Sequence, residues 1–440
     1  MSIEKRSPGY ALLKSYVDFC FHRYYRVSFH QKERINLRER MIFAPNHQNA
    51  LIDALAVLTS FKWQPVFLAR ADIFGNKTIA RILRFLKILP VYRIRDGYDQ
   101  LANNEKVFRE TFDVLDKNTS LTILPEGNHE GKRQLRTLKK GIARIAFNYR
   151  HEFADNKKEI SIIPTGLNYS DYHAPGSNLH IRFGDPIPLA DFDQLYQENQ
   201  PKAYNGLIKR LESELKKQML HIEDGEYYRC TETIVLLYET LNAKNKGTEN
   251  DIFLAQQQVI DLMGEKEQND PEFLIDLQGL TQSLEKILSQ VKTGIDDLKL
   301  LKKAKNTFSL FFRMMFLFLT SPLYLYCFIQ NAIPSWIRHT IGKKFKDPHF
   351  KSSVAFVLTI FLFPIFHILQ ALIFLLISGS LTWSAVYLVT LPLSYIGKNM
   401  WERMWKQTQA IGRMRSVYQP IGDIIGKIKK ELTLTGINWQ

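Results

Sequence analysis

Cysteine is scarce in this chain. Cys20, Cys230 and Cys327 lie far apart among 440 residues. That excludes a disulfide scaffold and a cysteine zinc cluster, and it suits a reducing compartment. No low-complexity tract and no repeat family is visible. No apolar core follows the charges of the first ten residues before Lys14, so no secretory leader is expected. Charge is missing altogether from two long stretches, 314–337 and 352–397. What is abundant is apolar surface, at 45% of residues, which excludes a disordered chain.

The net charge of +15 is unevenly spread. Residues 1–150 hold 27 basic and 14 acidic side chains, residues 151–300 hold 15 and 26, and residues 301–440 hold 17 and 4. Two basic blocks flank an acidic middle. Each basic block suits an anionic partner: nucleic acid, a membrane surface or a phosphorylated substrate. No zinc-finger or RRM-like motif appears, and the basic residues sit beside apolar runs, so nucleic acid is not expected.

The charge-free run 352–397 is 46 residues long, about 69 Å as a helix at 1.5 Å per residue. A bilayer core is only about 30 Å thick. Two helices turning at Gly379 use that length; one cannot. Runs of this length favour a membrane over a buried helical core. Basic clusters flank every apolar run: Lys302, Lys303 and Lys305; then Arg338, Lys343, Lys344, Lys346 and Lys351; then Lys398, Arg403 and Lys406. A hairpin from 352–397 keeps both basic ends on the cytoplasmic side. The first run, interrupted by Pro322, then reads as a re-entrant or interfacial hairpin. Near the N-terminus, Leu12, Leu13, Tyr16, Val17, Cys20, Phe21 and Tyr24 share a helical face beside Lys14, Arg23 and Arg26. This reads either as an interfacial amphipathic helix or as a helix packed on its own domain.

Between residues 31 and 190 short apolar runs alternate with helical patterns. Strands are expected at Met41–Ala44, Val66–Ala69, Ile88–Tyr92, Leu121–Leu124, Ile160–Pro164 and Leu179–Phe183. Helices are expected at Leu51–Phe61, Thr78–Leu86, Tyr98–Asp116 and Lys139–Tyr149. That alternation is the signature of an α/β domain. Residues 190–305 turn helical and acidic. Leu277, Leu280, Leu284, Ile287, Val291, Ile295 and Leu298 recur at spacings of three and four, as in a coiled coil or helical hairpin.

Four segments carry residues with chemical potential. In APNHQNALID, His47 and Asp53 are six positions apart; a histidine held by a carboxylate can take a proton from an alcohol. The plain alternative is a capping histidine with a helix-surface aspartate, with Asn46 and Asn49 holding the loop. In ILPVYRIRDG, Arg93 and Arg95 end a strand and suit bidentate phosphate binding, or simply a solvated terminus. In ILPEGNHEGKRQLRTLKKG, Glu126 and Gly127 follow a strand. The cluster Lys132, Arg133, Arg136, Lys139 and Lys140 attracts phosphate or coenzyme A, or forms a solvated face. IIPTGLNYS and the following FGDPI are turn chemistry around Pro164. His47, His129 and Asp53 lack the spacing of a metal site, so no metal is expected.

Taken together, in this order, the four segments resemble the glycerolipid acyltransferase family, which includes the glycerol-3-phosphate and 1-acylglycerol-3-phosphate acyltransferases. The Asn46-His47…Asp53 block looks like the family's first motif, Pro90-Val91-Tyr92-Arg93 the second, Pro125-Glu126-Gly127 the third, and Ile163-Pro164-Thr165 the fourth. The resemblance covers roughly residues 35–190. It implies that His47 is the general base and that Asp53 orients it. It also implies that Arg93, with Arg95 and Lys140 nearby, meets phosphate, that Asn46, Glu126 and Gly127 shape the acceptor pocket, and that Pro164 lies near the acyl-donor channel. Five residues separate His47 from Asp53 where the family commonly has four, and Asn128 follows Gly127 where Thr or Ser is common. Those departures, the downstream His129 and the Leu138–Gly141 run are similar to the fungal-type glycerol-3-phosphate/dihydroxyacetone-phosphate acyltransferases.

The fold expected is an α/β acyltransferase domain, a central mixed sheet flanked by helices, followed by a helical module and C-terminal transmembrane helices. The boundaries read as 1–30 for a membrane-surface helix, 31–220 for the acyltransferase domain, 221–305 for an acidic helical module and 306–440 for membrane-anchoring helices. The expected partners are membrane lipid, a glycerol-phosphate acceptor and an acyl thioester donor, with no cofactor beyond acyl-CoA or acyl carrier protein as co-substrate. Residues 270–300 are a candidate surface for homo-oligomerisation. The expected location is a membrane, with the catalytic domain on its cytoplasmic side. Rival readings are acylation of another lysolipid or an amino-acid lipid, and a non-catalytic lipid-binding protein.

Overall fold

The computed structural model describes residues 3–36, 38–92, 103–151, 159–242 and 248–437. It divides into two compact units, Met1–His221 and Ile222–Gln440.

The first unit is built on one mixed sheet. Its strands are β1 (Arg26–His30), β2 (Met41–Pro45), β3 (Val66–Arg70), β4 (Ile88–Val91), β5 (Leu121–Thr122), β6 (Ser161–Tyr169), β7 (Asn178–Phe183) and β8 (Ile187–Pro188). They lie in the order β1-β7-β6-β2-β5-β3-β4, with β8 also pairing β6. Strands β6, β2, β5, β3 and β4 run parallel, while β7 and β8 are antiparallel to β6. The carboxyl ends of the five parallel strands therefore share one edge, where open α/β sheets place their ligand sites.

The helices of this unit are α1 (Pro8–Tyr24), α2 (Ala50–Ser60), α3 (Lys77–Phe85), α4 (Asn103–Asp116), α5 (Gly141–His151), α6 (Asp193–Glu198) and α7 (Gln200–Gln218). Connections β2–β3 and β3–β4 step one way along the sheet, and β4–β5 and β5–β6 step back. Right-handed crossovers therefore put α2 and α3 on one face, and α4 and α5 on the other. The core on the second face holds Val114, Leu121, Ala146, Phe147, Leu207 and Leu211, all essentially inaccessible.

Residues 1–30 differ from a free membrane-surface helix. Tyr10, Lys14, Val17 and Phe21 of α1 are buried. The Lys14 ammonium reaches the carbonyl of Phe61 at 2.7 Å, at the end of α2, and pairs with Asp18 at 2.6 Å. A cation at a helix carboxyl end meets unsatisfied carbonyls and the negative end of the helix dipole. Arg26–His30 is a strand, pairing β7 in parallel register. This segment belongs to the α/β unit. The outer face of α1 still carries Leu12 and Phe19, 73% and 61% exposed.

Strand β6 runs five residues beyond the expected Pro164, through Thr165–Tyr169. Its turn-like letters have tertiary causes. A Cβ on Gly166 would lie 1.8 Å from the Gln218 carbonyl oxygen, so only glycine lets the end of α7 approach. Asn168 accepts from the Leu220 N–H at 2.9 Å and donates to the Gln218 carbonyl at 2.9 Å. Pro164, inside a central strand, points its missing donor toward the Gly184 turn between β7 and β8, because its own carbonyl accepts from Gly184 N–H on that side at 2.8 Å.

The second unit is helical: α8 (Tyr228–Asn242), α9 (Glu249–Asn269), α10 (Pro271–Gln290), the short α11 (Leu301–Ala304), α12 (Thr307–Leu319), α13 (Ser321–Lys343), α14 (Pro348–Ser378), α15 (Leu381–Met414) and α16 (Tyr418–Leu434). The buried seam of α10 is Leu274, Leu277, Thr281, Leu284 and Leu288, a three-four spacing in a different register from the expected one. It packs against α8, α9 and α16, so this seam on the surface expected to self-associate is taken up by the chain itself. The C-terminal α16, with Ile421, Ile425, Ile428 and Leu432 buried, joins this module to the segment placed in a separate anchor by the boundaries 221–305 and 306–440.

The apolar runs form a bundle of α12 to α15. Gly379 turns in the left-handed region, φ 64°, between α14 and α15, where the charge-free run was expected to fold back. Chain direction breaks by 56° between α12 and α13, at the Pro322 end. Among the described residues, α14 is the one helix that by length and composition is able to cross a membrane, and α12 with α13 qualifies as a bent pair. Two polar layers tie α13, α14 and α15. In one, Asn331 donates to Ser394 at 2.8 Å and faces His367 Nε2 at 3.2 Å. In the other, Gln370 donates to the Gln330 carbonyl at 2.9 Å and Tyr387 donates to the Gln330 side chain at 2.7 Å.

Candidate active site

The site forms at the carboxyl edge of β2, β5 and β6. His47 leaves β2 in a tight loop into α2. Its Nδ1 lies 2.9 Å from Asp53 Oδ2. The same oxygen accepts the backbone N–H groups of Gln48 at 2.7 Å and Asn49 at 2.6 Å. Ala50 sits at φ +45°, a left-handed conformation uncommon for a residue with a Cβ. The kink lies between His47 and Asp53, and the pair closes across five intervening residues. Such strain is held in place only where its surroundings over-determine it, and here three donors converge on one carboxylate oxygen.

The other oxygen, Asp53 Oδ1, accepts the Tyr169 hydroxyl at 2.8 Å. Asp53 is 0% exposed and Tyr169 1%. Burial, with the nearby Asp53 charge, pushes the Tyr169 phenol well above its ordinary value, so it stays protonated and keeps its proton to donate. With Nδ1 bound to Asp53, Nε2 is the ring nitrogen left to exchange a proton with a reactant. The His47 side chain is 15% exposed, and its ring lies 5.4 Å from that of His129.

Glu126 is the second buried carboxylate. Its Oε1 accepts the His47 backbone N–H at 2.6 Å and its Oε2 accepts the Arg136 N–H at 3.0 Å. Burial pushes it up to about 8, against the two N–H bonds that favour its anion. Gly127, at φ +69°, makes the turn that brings Glu126 back under the histidine loop. Asn46 is wholly buried: its amide donates to the Leu167 carbonyl at 3.2 Å and accepts from the Leu167 N–H at 2.6 Å. It extends the β2–β6 ladder by one side-chain rung and so holds the loop.

Of the residues singled out from sequence, His47, Asp53, Asn46, Glu126 and Gly127 are brought together. Pro164 is buried within β6, and Lys139 and Lys140 are exposed beyond Gly127. Arg93 and Arg95 lie outside the described residues. Tyr169 and Tyr172 are additions that sequence reading missed, and Arg133, expected only as part of the basic cluster, turns inward to them. The Tyr172 hydroxyl donates to Gln48 at 2.9 Å, and the buried Arg133 donates to the Tyr169 carbonyl at 2.7 Å. The aromatic end of IIPTGLNYSDY was the only available signal for the two tyrosines. Among the described residues no three His, Cys, Asp or Glu side chains gather as a metal site.

Comparison with known proteins finds similarity over the segment that carries this geometry. Residues 26–168 match the family model described as Acyltransferase. Over 147 residues the chain is 28% identical to glycerol-3-phosphate O-acyltransferase 1 of Saccharomyces cerevisiae, a match covering 32% of this chain and 19% of that protein. The chain thus matches about a fifth of that relative's length. The structure of the 1-acyl-sn-glycerophosphate (LPA) acyltransferase PlsC from Thermotoga maritima is similar over 49% of this chain and 85% of that one, at 18% identity and a TM-score of 0.34.

Proposed function

We propose, from the acyltransferase-family domain at residues 26–168, that this chain is a membrane-bound O-acyltransferase of phospholipid biosynthesis. It moves a fatty acyl group from an acyl-CoA or acyl-carrier-protein thioester to a hydroxyl of glycerol-3-phosphate or its 1-acyl derivative. The observation carrying this reading is the His47–Asp53 pair, closed at 2.9 Å inside a loop locked by Glu126.

The chemistry is a single displacement. His47 Nε2 takes the proton of the acceptor hydroxyl while Asp53 holds the Nδ1 tautomer and stabilises the imidazolium. The acceptor oxygen bonds to the thioester carbonyl carbon and the carbonyl becomes an oxyanion. The carbon–sulfur bond then breaks, and the departing thiolate receives the proton from His47. Neither a protein nucleophile nor a cofactor enters this balance. The exposed Lys139 and Lys140, with Arg93 and Arg95, supply positive potential for phosphate and the thioester carrier.

The membrane half of the reading rests on exposure. Only 22% of the most apolar window of α14 is buried, and Leu376 and Ile377 are 84% and 80% exposed. An apolar surface of this extent suits lipid, whereas a core helix is covered. The basic flanks of α14 and α15 favour a cytoplasmic face for both ends of this hairpin, and with it for the catalytic domain.

The test is acyl transfer by the purified full chain, with radiolabelled glycerol-3-phosphate against its 1-acyl form, each with both thioester classes. Activity lost in His47→Ala is the expected result. Full activity in that variant would overturn the His47 mechanism, and no acyl transfer by the wild-type chain with any substrate pair would favour the non-catalytic lipid-binding reading.

A further inference from the structure

Helix α3 has no buried residue, although its sequence is strongly two-sided. Ala80, Leu83 and Leu86 face the domain and are half-buried. Ile79, Ile82 and Phe85, three residues apart, form a stripe along one flank and are 48%, 53% and 43% exposed. Lys77, Arg81 and Arg84 form the other flank, and Arg84 is taken by Glu110 at 3.0 and 3.2 Å. The helix carries no acid. Ile73, in the 3-10 turn Ala71–Phe74 that leads into it from the carboxyl end of β3, adds a further side chain 44% exposed.

A second helix, α1, touches this one and has an exposed apolar face of its own. Phe85 meets Tyr10 of α1 edge-on, with ring centroids 6.1 Å apart. The outer face of α1 carries Leu12 and Phe19, with the Arg23 guanidinium 5.2 Å above the Phe19 ring. Two neighbouring helices on one face of the sheet thus present apolar side chains bordered by cations. A protein partner selects no fixed order of apolar stripe and cation flank, whereas an anionic bilayer does. The aliphatic side chains enter the acyl boundary while Lys and Arg stay at the headgroups.

We infer that Ile73, Ile79, Ile82 and Phe85, with Leu12 and Phe19, form a lipid-docking face of the catalytic unit, whose occupant is an anionic membrane surface. This rests on the membrane reading above, and adds a contact made by the α/β domain itself, distinct from the apolar helices of the second unit. It begins at the same sheet edge as His47, so docking holds the carboxyl end of the sheet close to lipid, where acyl chains reside.

The test is fluorescence quenching in the reconstituted full chain. Cys20, Cys230 and Cys327 are replaced by serine, and an environment-sensitive dye is attached at Ile82→Cys, at Leu372→Cys on α14, or at Lys202→Cys on the opposite face of the sheet. Vesicles contain phosphatidylglycerol and phosphatidylcholine with a spin label on the acyl chain. The expected result is quenching at positions 82 and 372 of roughly twofold or more over position 202, rising at 82 with the phosphatidylglycerol fraction. Quenching at 372 with position 82 no more quenched than 202 overturns the docking face and leaves the membrane reading standing. No quenching at 372 removes the membrane reading, and the docking face with it. Circular dichroism of each labelled protein establishes that it is folded.

Discussion

The Tyr169 hydroxyl donates to Asp53 Oδ1 at 2.8 Å, while Asp53 Oδ2 holds His47. Two residues 116 positions apart therefore meet in a place solvent does not reach, behind the proposed general base. Tyr169→Phe removes one donor from a buried carboxylate and leaves its ring packing intact. A hydrogen bond to a charged group contributes about 1.5–3 kcal/mol, so the turnover rate is expected to fall roughly tenfold or more. Steady-state turnover of the purified variant against wild type decides it, with circular dichroism to establish that the chain is folded; an unchanged rate contradicts a role for this bond in holding Asp53.

Asp53→Asn is nearly isosteric but removes the charge that stabilises a protonated His47. Acyl transfer is expected to fall roughly a thousandfold, with KM for the thioester little changed. Steady-state kinetics with both substrates varied decides it. A loss confined to KM contradicts the orienting role.

Glu126→Gln places an amide NH2 against one of two backbone N–H groups, those of His47 and Arg136. One donor then faces another, a penalty of about 1–3 kcal/mol for the group left unsatisfied. The expected result is a turnover rate reduced about 10- to 100-fold, with a folded chain by circular dichroism. Unchanged turnover would show that the His47 loop holds its shape without this carboxylate.

Gly166→Ala tests the close approach of α7 to β6. The new Cβ would lie 1.8 Å from a backbone oxygen that no rotamer change can move. A loss of about 3 kcal/mol or more is expected, read as a lowered midpoint of thermal unfolding. Gly264→Ala, where nothing lies within 4 Å of the added methyl, serves as the control.

His180 supplies a pH dependence. Burial, with Arg182 and His30 nearby, lowers its pKa from 6.5 to about 3, and its Nδ1 lies 2.8 Å from the Ser28 hydroxyl. The folded state holds this ring neutral while the unfolded chain takes up a proton near pH 6.5. Its contribution is therefore fully present above about pH 6.5, and is lost as pH falls from there toward 3. Denaturant unfolding of wild type against His180→Phe should show the wild type losing more stability across that window. Parallel pH curves would contradict it.

Much was legible because it is local. Strands β2, β3, β4 and β7 sit within a residue or two of their apolar runs, since a buried parallel strand is a short block of branched and aromatic side chains bounded by turns. The hairpin of α14 and α15 turns at Gly379, the glycine in the middle of a charge-free run. Strand β1 was missed because Arg26, Ser28 and His30 read as polar, and its place in the sheet comes only from pairing with β7, some 150 residues later. The second half of β6 was missed because Gly166 and Asn168 imitate a turn, and the α10 seam was assigned outward because its partner, α16, arrives more than a hundred residues later.

The chain by itself determined the alternation of strands and helices, the charge-free hairpin, and the step from His47 to Asp53, all of which follow from spacing along a few turns of backbone. Tertiary structure alone decided what surrounds that pair. Tyr169 on Asp53, Glu126 on the His47 backbone and Gln218 against Gly166 are contacts between distant segments. Their distances are set by how helices pack on the sheet, and no local pattern encodes them.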